Sequence, residues 1–171
     1  MTSSEYLIDL SPKAERALAR SFMGRIQWEM IVIGIGQSML WITTLVLTIA
    51  GIVPLWLGFI VATVCMSMAY LPSHEGQHGN LSGRQDRWRW IDFVVGQISL
   101  LGLKQSHEIL RATHMKHHAH TNDPDLDVDY QSRADHWWKP AVAVHRRDTR
   151  TLQNHIDRDP KFAEAILRGI P

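Results

Sequence analysis

The chain has 171 residues, with 18 Lys and Arg, 17 Asp and Glu, and a formal net charge of +1 at pH 7. This length fits one domain, and the balanced charge argues against a nucleic-acid-binding protein or an acidic tail. The one cysteine, Cys65, excludes an internal disulfide and a cysteine-rich zinc or iron–sulfur site. Ten histidines are present, and seven of them lie between positions 74 and 120.

The N-terminal segment, residues 1–27, is predicted to be amphipathic and cytoplasmic. Ser11 followed by Pro12 is typical of a helix start. Apolar side chains then recur every four positions, at Leu18, Phe22 and Ile26. This spacing predicts an amphipathic helix over residues 11–23 that lies on the membrane surface.

Residues 28–72 are predicted to form a transmembrane helical hairpin. Residues 30–50 and 52–72 contain no charge, and about 20 apolar residues are enough for a helix to cross a bilayer. Gly51 and Pro54 mark a tight turn between the two runs. Lys and Arg flank both ends of the hairpin but not its turn, so the positive-inside rule places both termini in the cytoplasm.

Residues 73–130 form a predicted cytoplasmic or interfacial region that carries most of the histidines. Its apolar stretch, residues 91–103, is too short to span a bilayer. We therefore expect an interfacial or re-entrant segment, preceded by a headgroup-level anchor at Trp88 and Trp90. A helix packed on a soluble lobe is the alternative.

Two histidine clusters have the spacing of metal ligands on helices. His74 and His78 are four residues apart, and His114 is three and four residues from His117 and His118, so the members of each cluster can share a helix face. His117 and His118 point about 100° apart on an ideal helix and could serve two different ions. Neutral imidazole suits zinc, copper, iron and nickel, so the ligands alone do not select the metal.

Other readings of these segments stay open. His74-Glu75-x-x-His78 also matches the zinc metalloprotease motif, in which the Glu activates a metal-bound water. Four alternating carboxylates form either a solvated loop or partners that orient ligand histidines: Asp123, Asp125, Asp127 and Asp129. His107 and His120 are interpreted as hydrogen-bonding or surface residues.

The two boxes, HEGQH at 74–78 and HMKHHAHTN at 114–122, resemble those of the membrane fatty acid desaturase superfamily, over about residues 28–130. The HHxHTN continuation is similar to acyl-lipid desaturases, and the Asp-Pro-Asp at 123–125 is similar to the carotenoid branch. The resemblance implies an all-α, integral membrane, multi-pass protein whose cytoplasmic helices carry the boxes.

The resemblance further implies a non-haem di-iron centre that uses O2 to desaturate or hydroxylate a fatty acyl chain. Its implied iron ligands are His74, His78, His114, His117 and His118. An external ferredoxin- or cytochrome b5-like donor would supply electrons. A carotenoid ketolase or hydroxylase is the alternative activity, and a non-catalytic membrane metal-binding relative is another.

The superfamily also carries a third histidine box and a second pair of spans, which this sequence does not contain. We expect the chain to be the N-terminal part of a longer protein, with residues 131–171 as a truncated polar segment. The spacing of Phe162, Ile166 and Ile170 predicts a helix leading toward another span. A partner chain or a homo-oligomer would be the other source of the missing iron ligands.

Overall fold

The structure is a computed structural model that describes residues 11–130, 135–136, 138–139 and 149–169. Within these ranges it contains helices and no β-strand, which confirms the predicted all-α fold class. The α-helices are α1 Pro12–Ser21, α2 Trp28–Ile49, α3 Leu55–Gln77, α4 Arg89–Ser99, α5 His107–Ala119, α6 Thr149–Arg158 and α7 Pro160–Arg168. Short 3-10 helices lie at Asp86–Trp88 and Leu101–Leu103.

Helix α1 begins and ends close to the predicted positions. The Ser11 hydroxyl accepts a hydrogen bond from the Ala14 backbone N–H at 3.2 Å, and Pro12 occupies the first helical position. None of the residues of α1 is buried. Leu18 is 63% exposed, and Phe22, the capping residue directly after α1, is 70% exposed. The helix therefore presents an open apolar face, and its placement on a membrane surface stays a prediction.

Helices α2 and α3 form an antiparallel hairpin with its apolar side chains on the outside. Both are long and apolar enough to cross a membrane, and only 28% and 17% of their most hydropathic windows are buried. A core helix of a water-soluble protein would be mostly buried. Gly51, with φ of +74°, and Pro54 shape the turn as predicted.

Helix α3 continues through Pro72 to Gln77, five residues past the predicted end of the span. Pro72 lies at a close contact with α2, where a Cβ built on Gly34 would be 2.9 Å from the Pro72 Cβ. Neighbouring helices make an internal proline tolerable in an apolar helix. As a result, His74 belongs to the last turns of the apolar helix itself.

Helix α4 packs on both helices of the hairpin, and its Ile91 and Val95 form a core with Ile31 of α2 and with Leu81. Its C-terminal carbonyls are capped from within α2, since the Ser38 hydroxyl donates to Ile98 O at 2.9 Å and the Gln37 amide donates to Ser99 O at 3.0 Å. The opposite side of α4 is apolar and open, with Trp90 57% exposed. Placement of this surface at a membrane interface stays a prediction.

Helix α7 packs on the outer side of α5, and α6 packs on α7; together α6 and α7 form what we call the C-terminal lobe. Its core joins Val128, Phe162 and Ile166, with Ile109 of α5 against them. Lys116 of α5 donates to the Asp159 carboxylate at 2.8 Å. The predicted helix with Phe162 and Ile166 is present and packs on α5, while its continuation toward another span stays a prediction, since Ile170 lies outside the described residues.

Candidate metal centre

The first histidine box lies where the apolar helix α3 ends. His74 is in the last turn, and His78 is the C-terminal capping residue. Between them, a Cβ on Gly76 would lie 2.6 Å from the Asp92 carbonyl oxygen of α4 and 3.1 Å from the His107 ring of α5. Gly76 therefore lets three helices meet beside the histidines, which explains a glycine that otherwise weakens a helix.

The second box lies on α5, which begins after Ser106. The Ser106 hydroxyl caps the helix by accepting the Ile109 backbone N–H at 3.4 Å. His114 and His118, one turn apart, share the face that turns toward α3. Their rings pack edge to face with a centroid distance of 4.5 Å.

Four histidines from the two boxes converge on one point. The candidate ligand atoms of His74, His78, His114 and His118 all lie within 4.8 Å of one another. The Nε2 atoms of His78 and His118 are each 3.0 Å from Nε2 of His114. Each neutral imidazole has only one N–H group, so hydrogen bonds alone cannot pair all of these closely spaced nitrogens. One metal ion can instead accept a lone pair from each of them.

The electrostatics of the cluster favour neutral, metal-binding imidazoles. Burial, followed by the neighbouring imidazoles of His74 and His118, lowers the pKa of His114 to about 4. Burial also lowers the pKa of His78, with His74 as the next cause. At neutral pH, His78 and His114 are therefore neutral, and each has one ring nitrogen whose lone pair can bind a metal.

His117, the fifth predicted ligand, lies apart from this group and has its own carboxylate partner. Its Nδ1 is 2.8 Å from Oδ1 of Asp127, a side chain that is nearly fully buried. Asp127 also accepts the backbone N–H groups of Asn122 and Asp129. A ring held through Nδ1 presents Nε2 as its free ligand atom, as metal-bound histidines usually do.

The alternating carboxylates therefore divide into two roles. Asp127 orients a histidine, as one of the two readings of the sequence expected. Asp123 instead accepts the backbone N–H groups of Asp125 and Leu126 and shapes an exposed turn.

Glu75 lies beside the cluster with both carboxylate oxygens engaged. One oxygen is 3.3 Å from His74 Nδ1, and the other accepts the Asn80 side-chain amide at 2.8 Å. Such a carboxylate orients a ligand histidine. A metalloprotease glutamate instead has to face the metal-bound water, so this arrangement counts against the protease reading.

His107 and His120 lie outside the four-histidine group, in agreement with their interpretation. His120 caps the C-terminus of α5. His107 is 1% exposed, and its Nδ1 is 3.0 Å from the Ser73 hydroxyl. Its complete burial was missed by sequence reasoning, because the only signals are two distant glycines, Gly76 and Gly96, that leave room for its ring.

A cavity of about 540 Å³ opens beside the cluster. His78 forms part of its wall, together with Phe93, His107 and Arg111. Its size falls in the range of small-molecule sites, so a ligand has room next to a candidate metal ligand.

The fold and the site together define a membrane-associated helical protein with a histidine cluster able to hold a metal. The family model described as fatty acid desaturase matches residues 50–167, and the chain therefore belongs to this family. Neither the curated proteins nor the solved structures contain a match to the chain. The family indicates a lipid desaturase- or hydroxylase-type function, and its members typically bind two irons.

Proposed function

We propose that this chain forms the first part of a non-haem di-iron centre in an O2-dependent enzyme that desaturates or hydroxylates a fatty acyl chain. The observation that carries the proposal is the convergence of His74, His78, His114 and His118 at the end of an apolar hairpin. Membership of the desaturase family supports the same class of reaction.

The donor set fits iron at the four-histidine cluster. Its candidate ligand atoms lie within 4.8 Å of one another. Burial lowers the pKa of His114, which keeps this imidazole neutral and able to bind a metal. We assign His117, which Asp127 holds apart from this group, to the second iron. When bound, non-haem iron would supply the oxidising power for O2-dependent attack on an unactivated C–H bond.

The protein's own residues would orient the ligands and control access to them. Glu75 and Asp127 each face the Nδ1 of one histidine, which leaves the opposite nitrogen for a metal. Because His78 directly follows an apolar helix, an acyl chain in the bilayer would lie within reach of the centre. The neighbouring cavity offers space for a substrate group beside His78.

The remaining parts of the proposal concern partners and topology. The single cysteine, Cys65, is buried in α3 and cannot form an iron–sulfur cluster, so electrons would come from a separate ferredoxin- or cytochrome b5-like donor. We also propose that both termini face the cytoplasm, as the distribution of Lys and Arg predicts.

The test is iron binding by the full chain purified in detergent. Iron per polypeptide is measured after anaerobic loading for the wild type, His114→Ala and the control His136→Ala. His114 contacts both His78 and His118, whereas His136 is an exposed histidine outside the cluster. We expect His114→Ala to lose iron while it still inserts into membranes, and His136→Ala to keep it.

Turnover then separates the alternatives. Loaded protein, a reductase system and O2 are supplied with an acyl lipid, and desaturated or hydroxylated product is sought by mass spectrometry. Full iron retention by His114→Ala would count against the proposed centre. Iron without product is expected both for a centre that this chain completes only in part and for the non-catalytic relative, so product formation is the outcome that excludes the non-catalytic relative. A hydrolytic activity abolished by Glu75→Gln would instead support the protease.

A further inference from the structure

We infer that His107 is a positioning residue, whose buried ring sets the register between the two histidine boxes. The inference rests on the proposed metal centre for its consequence, but not for its geometry. His107 is the first residue of α5 and lies seven positions before His114. Seven residues are close to two helical turns, so both side chains project from similar faces of α5.

The ring of His107 occupies a slot that α3 and α4 leave open. A Cβ on Gly96 of α4 would lie 2.3 Å from Nδ1 of His107, and a Cβ on Gly76 of α3 would lie 3.1 Å from its Cε1. Any side chain at Gly96 would therefore overlap the ring. The two glycines are needed for this histidine, and each lies on a different helix.

Hydrogen bonds hold α5 in this slot at both its side chain and its backbone. Nδ1 of His107 is 3.0 Å from the Ser73 hydroxyl, which also accepts the Gln77 amide at 3.3 Å. The backbone N–H of His107 donates to the Gln97 side chain of α4 at 2.9 Å. Since Ser73 precedes His74, this contact is directly adjacent to the first box.

These contacts connect the slot to the four-histidine cluster. Because α5 is a rigid helix, fixing its first residue also fixes the positions of His114 and His118 along α3. If the ring leaves the slot, α5 can slide or tilt, and the 3.0 Å approach of His114 to His78 is lost. Packed helices change between discrete arrangements, so a small shift at His107 would open the whole cluster.

The experiment uses the full chain and four variants. His107→Ala empties the slot, Gly96→Ala blocks it, and His107→Asn keeps a polar atom near the position of Nδ1. The matched control, Ser106→Ala, removes the N-cap of α5 but leaves the ring in place. Circular dichroism first verifies the helical content of each variant.

Two readouts distinguish positioning from general stability. Binding of cobalt(II) reports the affinity and, through its visible spectrum, the ligand geometry of the cluster. In metal-free protein, spin labels at Ser67→Cys on α3 and Ala119→Cys on α5, in a Cys65→Ala background, report the distance between the helices. We expect about tenfold or greater loss of cobalt affinity, a changed spectrum and a shifted distance for His107→Ala and Gly96→Ala.

His107→Asn and Ser106→Ala should stay near the wild type in both readouts. Wild-type affinity and distance in His107→Ala would overturn the inference, and so would an equal loss in Ser106→Ala. If His107→Ala does not fold, Gly96→Ala and His107→Asn decide by the same criteria. A wild type that binds no metal would count against the proposed function, while the distance measurement would still judge the role of His107.

Discussion

The hairpin and the C-terminal lobe have opposite relations to their surroundings. In α2 and α3 the large apolar side chains face outward, with Met39 63% and Phe59 71% exposed, while the polar Gln37 and Ser38 are buried. In the lobe, Phe162 is buried, and charged residues lie on the outside of α7. One chain thus contains the pattern of a membrane helix and that of a water-soluble core.

This contrast explains why the histidine cluster lies where it does. His74 and His78 end a helix of the first kind, and His114 and His118 belong to α5, whose outer side packs against the second. The cluster is therefore built at the border between two environments. The ligands on α5 are thereby fixed by a packed core, while the ligands of the first box lie at the end of the apolar hairpin.

The largest expected effect comes from removing the core of the lobe. Phe162→Ala should reduce the stability of the lobe by about 3–5 kcal/mol, because a buried aromatic side chain is replaced by a cavity. Hydrogen exchange should become faster in α5, α6 and α7 but not in α2. Leu167→Ala, at a position that is 65% exposed on the same helix, is the control and should change little. Equal opening of α2 would show that the two regions are not distinct.

A charge placed on the hairpin tests the other half of the contrast. Met39 lies at the middle of α2 on its open face. Met39→Lys should make insertion less favourable by about 2.5–3.5 kcal/mol, the cost of a lysine at the centre of a membrane helix. The fraction inserted into microsomes measures this change.

A lysine introduced on the lobe should have no such effect. Gln153→Lys lies on an exposed position of α6 and is the matched control. Undiminished insertion of Met39→Lys would argue that α2 packs inside protein and not against lipid.

Much of this contrast was predictable from the sequence, because it depends on local pattern. The hairpin was predicted from two uncharged runs with Gly51 and Pro54 between them. The spacing of His74 and His78 predicted that both lie on one helix face. These features depend on neighbours only a few positions away. Periodicity and turn chemistry are sufficient for them.

The features that were not predicted depend on contacts between distant helices. Asp127 is one of four alternating carboxylates, and only its burial against α5 distinguishes it from Asp123. The sequence indicates that His107 is a hydrogen-bonding or surface residue, but its burial does not follow from the sequence because Gly96, which makes room for the ring, is eleven positions away on another helix. Likewise, Phe162 and Ile166 had helical spacing, but spacing does not tell which surface covers them.

The smallest expected effect is a pH dependence confined to the lobe. Burial, and next the charge of Lys116, lowers the pKa of His155, with Arg158 acting in the same direction and Asp127 and Asp159 opposing them. His155 therefore binds a proton more readily in the unfolded chain than in the folded lobe. The contribution of neutral His155 to the stability of the lobe is complete above the ordinary pKa of 6.5 and is lost as the pH falls below it. The difference in lobe hydrogen exchange between wild type and His155→Gln, measured from pH 7.5 to 5.5, isolates this contribution from other histidines. We expect the wild type to lose protection more steeply, and parallel pH profiles would show that His155 is not buried as a neutral ring.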